Sequence, residues 1–237
     1  MSSYSSPSGF TRILPQLSPQ AAPRLGIGQR WLVFAAAIFL IVAPVFIEAP
    51  LVRTFPWLSL SLTVVGLGVG LWLMSRPAAQ IWGDLLIGFS WIWLSGSIYW
   101  GWWRWEPLLH LPIEAVALPI VLACLLSQKG KVGSYFYLGS LLGTTVTDIY
   151  FYWVDLIPAW RQLMQAEPST VHFVLQAALD QMNTAQGIRC AEILLISLLI
   201  FGLPPLKSKQ LHWWAFSGAV LSTILVDSLF FLAALLA

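Results

Sequence analysis

The chain has 237 residues, of which 58% are hydrophobic and only 9% are charged, and its formal net charge is +2. Soluble globular domains carry about 25% charged residues, so this composition excludes a soluble domain and indicates an integral membrane protein. The length suits one compact unit, and we expect an all-α bundle of helices that contacts the lipid bilayer.

The N-terminal segment, residues 1–29, is rich in Ser, Pro and Gln and has no continuous apolar stretch. A secretory signal peptide requires an apolar core before its cleavage site, so we do not interpret the segment as one. A transit peptide would share its Ser and Arg content, but the composition favours a disordered cytoplasmic tail. We therefore expect a single transmembrane domain at residues 30–237.

A helix that crosses a membrane needs about 20 mostly apolar residues. The sequence contains seven candidate stretches, at residues 31–47, 57–74, 81–103, 106–126, 134–157, 188–206 and 212–237. The third and fourth are almost continuous. Pro107 predicts a tight turn between them, because proline disfavours helix at the preceding residue.

The distribution of Lys and Arg between the predicted loops indicates the orientation. With a cytoplasmic N-terminus, eight of these residues fall on the cytoplasmic side and four on the opposite side, as the positive-inside rule requires. The eight are Arg12, Arg24, Arg30, Arg76, Lys129, Lys131, Lys207 and Lys209, and the four are Arg53, Arg104, Arg161 and Arg189. We therefore predict that the C-terminus lies on the outer or lumenal side.

The long connection at residues 158–187 is predicted to lie on the outer side. Within it, residues 171–184 place apolar side chains at helical spacing, with Gln176, Asp180 and Gln181 between them. This pattern predicts a short amphipathic helix on the outer surface of the membrane. Such a helix either caps a cavity or covers a gap between the spans.

Three carboxyl groups are predicted to lie at one depth inside the membrane. At about 1.5 Å per helical residue, Glu114 lies about 12 Å below the outer surface, Asp148 about 13 Å and Asp227 about 15 Å. A charged carboxylate at mid-depth costs about 2.5–3.5 kcal/mol on insertion scales, and no Lys or Arg lies in the hydrocarbon core to pair with these three. We therefore expect them to converge on an interior cavity that opens to the outer side.

Further ionisable residues are expected above this layer. Glu106, His110 and Glu114 are spaced i, i+4 and i+8, which predicts a polar stripe on the fourth helix. His110 and Glu192 would lie at the mouth of the cavity, and Glu48 and Glu106 on its outer rim. Crowded carboxyl groups in such a place can carry protons or bind a cation reversibly.

A cation in this cavity would find oxygen ligands. Thr144, Thr145 and Thr147 flank Asp148 and can supply hydroxyl groups, which hard divalent cations prefer, while His110 would extend the choice to manganese or zinc. Two other interpretations stay open. The acids can be protonated packing contacts between helices, and His110 can be an axial ligand of a chlorophyll or haem. The candidate metal ligands are His110, Glu114 and Asp148.

The segment WGWWRWEPLLHLPIEAVALPI, residues 100–120, combines an aromatic membrane boundary with the polar stripe. Together with the seven-span layout and the Ser/Pro-rich tail, it resembles a cyanobacterial family of integral membrane proteins that is catalogued as a domain of unknown function. The resemblance covers the chain from about residue 30 to the C-terminus. It implies a thylakoid or plasma membrane of a photosynthetic bacterium, and it implies no catalytic or binding residues.

These observations favour a transporter, in which protonation of the acidic layer changes the affinity for an ion or small solute. The alternative is an auxiliary or assembly protein of a photosynthetic membrane complex, whose apolar surface binds a partner or a pigment. An intramembrane enzyme has less support, because the chain has no nucleophile elbow, HExxH or aspartate-rich prenyl-diphosphate motif. Nucleic-acid binding has no support, because no basic patch lies outside the predicted spans.

Overall fold

The computed structural model describes residues 26–167 and 169–236, and over these ranges the chain forms helices and short connections without a β-strand. The predicted all-α class is therefore confirmed for this part of the chain. Residues 1–25 of the predicted cytoplasmic tail lie outside the described residues. The α-helices are α1 (Ile27–Thr54), α2 (Pro56–Met74), α3 (Gln80–Ile98), α4 (His110–Glu114), α5 (Leu118–Leu126), α6 (Lys131–Trp153), α7 (Ile157–Gln165), α8 (Val171–Met182), α9 (Ala185–Gly202) and α10 (Leu211–Leu236).

Six segments within the described ranges are long and apolar enough to cross a membrane, as in a multi-pass integral membrane protein. They coincide with six of the seven predicted spans. The seventh corresponds to α6, which has 23 residues but carries Lys131, Asp148 and several Ser and Thr. The six are Ile27–Thr54, Pro56–Met74, Gln80–Trp103, Pro107–Leu126, Ala185–Lys207 and Leu211–Leu236.

The polar composition of α6 follows from its place in the bundle. It packs against α3, α5, α9 and α10, and ten of its residues are buried. A helix that is surrounded by other helices needs no continuous apolar face toward lipid. The crossing of the membrane by α6 therefore stays a prediction from its length and position.

The helices of the bundle run alternately in opposite directions, so that it has two ends. We call the end at which α6 begins the Lys131 end, and the end at which it finishes the Trp153 end. α7 and α8 connect α6 to α9 at the Trp153 end, which is the outer end in the predicted orientation. A tightly packed core fills the half toward the Lys131 end, and it consists of Val33, Ala37, Leu85, Val132, Phe136, Leu211, Ala215 and Ala219.

Close contacts at glycine hold this half of the bundle together. Gly88 of α3 and Gly133 of α6 lie against each other, and a Cβ atom on Gly88 would overlap the backbone of Gly133. On the other side, Gly218 of α10 faces α1, where its Cβ would lie 2.7 Å from the carbonyl oxygen of Phe34. Small residues at such crossings let membrane helices approach to backbone contact.

Asp84, a buried residue near the start of α3, stabilises the start of α6. Its Oδ2 accepts a hydrogen bond of 2.8 Å from the backbone N–H of Val132. The first N–H groups of a helix have no partner within the helix, and they favour negative charge. The contact gives this carboxylate a structural role.

The first and fourth spans both differ from the predicted helices. α1 continues to Thr54 rather than ending near residue 47, although Pro44 and Pro50 lie within it. Proline is tolerated in membrane helices when neighbouring groups satisfy the freed backbone. The fourth span is interrupted, with 3₁₀ turns at Pro107–Leu109 and Ala115–Ala117 on either side of α4.

Candidate functional site

A cavity of about 810 Å³ occupies the half of the bundle toward the Trp153 end. Parts of α1, α3, α4, α6, α9 and α10 form its walls, and residues of α7 and α8 line it as well. Most of the lining side chains are apolar or aromatic. Seven of the eight site residues predicted from the sequence line this cavity, namely His110, Glu114, Thr144, Thr147, Asp148, Glu192 and Asp227.

His110 lies at the centre of the polar cluster. Its Nδ1 is 2.9 Å from Oδ1 of Asp148, and its Nε2 is 4.0 Å from Oε1 of Glu114. The ring of Tyr99 packs against the imidazole, with the ring centroids 4.4 Å apart. Each ring nitrogen therefore faces a carboxyl group, and the imidazole links the carboxyl group of α4 to that of α6.

The interrupted fourth span positions Glu114, which is buried. Its Oε2 accepts a hydrogen bond of 2.9 Å from the hydroxyl group of Ser95 on α3. Its carbonyl oxygen, at the junction with the 3₁₀ turn Ala115–Ala117, accepts a hydrogen bond of 2.6 Å from the hydroxyl group of Tyr137 on α6. Polar groups of two neighbouring helices thus satisfy the irregular backbone and the side chain together, as a broken helix within a membrane requires.

Asp227 of α10 is hydrogen-bonded to Thr147, the residue that precedes Asp148 on α6. The hydroxyl group of Thr147 donates to Asp227, at 3.0 Å from Oδ2 and 3.3 Å from Oδ1. Because Thr147 and Asp148 are consecutive, α6 reaches Asp227 and His110 from adjacent positions. The carboxyl groups of Glu114, Asp148 and Asp227 therefore surround one part of the cavity.

The remaining predicted hydroxyl and carboxyl groups divide between the cavity and other places. Thr144 lies one helical turn before Asp148 and lines the cavity, as does Glu192, which is exposed on α9. Thr145 is not among the described residues that line it, and its hydroxyl group donates to the carbonyl of Leu141 in the same helix at 2.7 Å.

Glu106 lies outside the cavity, in contrast to the predicted stripe. Its backbone is extended, with φ −117° and ψ 90°, because the residue before a proline is disfavoured from the helical conformation. Its carboxylate accepts two hydrogen bonds from Nη2 of Arg161, of 2.8 and 3.1 Å, and one of 3.2 Å from the backbone N–H of Leu108. Glu106 thus ties α7 to the corner between the third and fourth spans.

The contact between α7 and this corner is expected to weaken in acid. The hydrogen bond from Arg161 holds the pKa of Glu106 below its ordinary value. A carboxyl group with a lowered pKa in the folded state stabilises the contact fully above its ordinary pKa, and this contribution is lost as the pH falls through the lowered value. Hydrogen exchange of residues 157–165, corrected for its intrinsic pH dependence, should therefore accelerate in that acidic window.

The variant Glu106→Gln provides the comparison for this pH effect. It should show faster exchange in α7 at neutral pH and no further acceleration in acid. α7 keeps a second contact in both proteins, since Nε1 of Trp160 donates to the carbonyl of Arg104 at 2.8 Å. If exchange in the variant and in the unmodified protein has the same pH dependence, the ion pair does not hold α7.

Glu48 is a cavity residue whose burial we did not predict. We expected it on the outer rim, but α1 continues past it and leaves it only 8% exposed. Its Oε1 accepts a hydrogen bond of 2.9 Å from the hydroxyl group of Ser97, and Gly96 leaves space for it, since a Cβ there would lie 2.8 Å from Oε2. The apolar residues 49–52 were the signal that the span continues beyond Glu48.

Among the residues that the structure describes, no group of three or more His, Cys, Asp or Glu side chains is placed to hold a metal ion. His110, Glu114 and Asp148 are the candidate ligands of a divalent cation that the sequence offers. In the structure the imidazole of His110 lies between the two carboxyl groups. It is within hydrogen-bonding distance of Asp148, at 2.9 Å, and farther from Glu114, at 4.0 Å.

Residues 37–235 match a family described as "Protein of unknown function (DUF3120)". The chain belongs to this family. The resemblance predicted from residues 100–120 is thereby confirmed at the level of a family of unknown function, and every residue of the polar cluster lies within the matched region. Comparisons with curated proteins and with solved structures found no match.

Proposed function

We propose that this protein is a transporter that moves a small solute across the membrane in exchange for protons. Glu114, Asp148, Asp227 and His110 would be the groups that take up and release the protons. The observation that carries the proposal is the position of this cluster. It lies inside a membrane-spanning bundle, in a cavity that extends to the Trp153 end, while the half toward the Lys131 end is closed by packed side chains.

Proton exchange is the chemistry that such a cluster allows. An isolated charge inside a membrane is costly, so each carboxyl group must be paired or neutralised. His110 faces Asp148 and Glu114, and the hydroxyl group of Thr147 donates to Asp227. A solute that pairs with one of these groups can replace its proton, and departure of the solute allows the proton to return.

The alternative of an auxiliary protein with a bound pigment has less support from the site. Both ring nitrogens of His110 face carboxyl groups, so neither is oriented as a free axial ligand for a chlorophyll or haem. Exposed apolar side chains such as Trp57 and Leu126 do not favour this alternative, because contact with lipid accounts for them as well as contact with a partner protein would. A thylakoid location and a photosynthetic partner stay predictions from the family resemblance.

Transport requires that the cavity can be reached from both sides of the membrane, and thiol labelling can measure this. Cys124 and Cys190 would be replaced by Ser, and one cysteine introduced at Ser140, a buried residue that lines the cavity. Single cysteines at the exposed positions Gln128 and Glu167 would report the two sides. We expect these two markers to react with an impermeant reagent from opposite sides, because α6 lies between them.

The cysteine at position 140 should react from the Glu167 side when the cavity extends to the Trp153 end, as it does in the structure. Under an imposed pH gradient, a fraction should also react from the Gln128 side. Reaction from the Glu167 side alone, at every pH from about 5 to 8, the range in which histidine changes its charge, would leave a one-sided binding protein and end the transporter proposal. Markers that react from the same side would show that α6 does not cross.

A further inference from the structure

The ionisable side chains that line the cavity are almost all acidic. Five carboxyl groups and one imidazole line it, and no Lys or Arg is among its described lining residues. Each of these carboxyl groups that gives up its proton adds a negative charge to the wall, so the cavity favours a positive ligand over an anion such as a phosphate group. The six are Glu48, Glu114, Asp148, Glu192, Asp227 and His110.

One carboxylate oxygen at the centre of the cluster has no partner. Asp148 is 8% exposed, and its Oδ1 lies beside His110. Its Oδ2 is buried and has no hydrogen-bond partner among the described residues. Buried carboxyl oxygens are normally paired, so an unpaired one on a residue that lines a cavity points to a ligand that brings a hydrogen-bond donor or a positive charge.

Several aromatic donors beside the cluster are already occupied. Nε1 of Trp160 and the hydroxyl group of Tyr99 both donate to the carbonyl of Arg104, at 2.8 and 3.4 Å, and Nε1 of Trp93 donates to the carbonyl of Ser59 at 3.0 Å. These N–H and O–H groups are therefore not free to donate to a ligand, and the three residues line the cavity with aromatic surface. Aromatic rings can attract a cation electrostatically.

The size and the walls of the cavity indicate an organic molecule. The volume of about 810 Å³ lies within the range of pockets that hold drug-sized ligands, about 300–1,000 Å³. A single inorganic ion would instead need several ligands converging at about 2.3–2.6 Å. Apolar side chains such as Leu40, Ile92 and Leu198 form most of the remaining wall and suit an apolar ligand body.

We infer that the cavity binds an organic cation with a large apolar body, whose charge lies beside Asp148. As a description of the transported solute, this rests on the proposed function, because the cation would displace one proton from the carboxyl groups and leave when the proton returns. As a description of what the cavity binds, it rests on the lining residues alone. Binding and transport can therefore fail separately.

Two ions of nearly the same shape and opposite charge test the inference. The purified full chain in detergent would be dialysed against tetraphenylphosphonium or tetraphenylborate, and saturable binding measured at neutral pH. We expect saturable binding of tetraphenylphosphonium and none of tetraphenylborate. Asp148→Asn should weaken cation binding by about tenfold or more, since it removes a charge in close contact with the ligand.

A matched substitution controls for net charge. Asp180→Asn removes an exposed carboxyl group of α8 that does not line the cavity, and it should leave the affinity unchanged. Gel filtration and circular dichroism would verify that both variants are folded, and Glu114→Gln gives a second variant in the cluster. The inference is overturned by saturable tetraphenylborate binding, by absence of cation binding, or by equal cation affinity in Asp148→Asn and the unmodified protein.

The labelling experiment at Ser140 keeps the two proposals apart. Selective cation binding with labelling from one side only would leave an organic-cation-binding protein that does not transport. Labelling from both sides without cation binding would leave a transporter whose solute belongs to another class.

Discussion

Replacing Gly88 by alanine is expected to lower the stability of the folded protein by about 3 kcal/mol, the upper part of the usual range for overpacking. The added methyl group would overlap the carbonyl, C and Cα atoms of Gly133 on α6. These are backbone atoms, which cannot move aside as the end of a flexible side chain can. The whole of α6 would have to shift away from α3.

Thermal unfolding in detergent measures this effect. A loss of about 3 kcal/mol corresponds to about 6–12 °C in Tm for a chain of this size. Gly68→Ala is the matched control, because Gly68 lies in the helical interior of α2 and a Cβ there has no neighbour within 4 Å. Alanine favours helix over glycine by about 1 kcal/mol, so the control should be neutral or slightly stabilising. Equal Tm values for the two variants would contradict the close crossing of α3 and α6.

Substitutions at two buried aspartates are expected to change the stability of the folded protein to different extents. Asp84→Ala should lower stability by about 1–2 kcal/mol, as the loss of a helix cap does, because the N–H of Val132 loses its acceptor. Asp148→Asn should leave stability nearly unchanged, because asparagine has almost the same shape as aspartate and keeps an oxygen for the contact with His110. Asparagine can still hydrogen-bond Nδ1 of His110, and Oδ2 of Asp148 has no partner to lose.

The comparison distinguishes a functional acid from a packing contact. Scanning fluorimetry of both variants, with the retained helix content checked by circular dichroism, gives the two changes in Tm. If Asp148→Asn destabilises as much as Asp84→Ala, Asp148 is a structural contact between helices, and the protonated packing role that the sequence left open is the better description. A stable Asp148→Asn protein is the material that the binding experiment requires.

The positions of the spans could be predicted because they depend on local composition. Six of the predicted stretches coincide with long apolar helices, since a lipid-facing helix must be apolar over about 20 residues whatever its neighbours are. The polar α6 fits this rule less well, because it lies among other helices. The end of α1 was misplaced at residue 47, and the helix continues through Pro50 to Thr54.

The candidate site was predictable in depth but not in direction. A rise of about 1.5 Å per residue places Glu114, Asp148 and Asp227 at similar depths without knowledge of the packing. Whether their side chains meet depends on the rotation of each helix about its axis. Glu106 shows the difference, since helical spacing placed it on the stripe with His110, whereas the turn before Pro107 directs it to Arg161.

The amino-acid sequence by itself determined the class of the protein, the approximate spans and the rarity of charge inside them, because each of these follows from the cost of exposing polar groups to lipid. The tertiary structure decided which acids share a cavity, that Glu48 joins them and that Asp84 instead caps α6. It decided these because a side chain's partners come from other helices, and their rotation, breaks and close crossings are set by packing over the whole bundle.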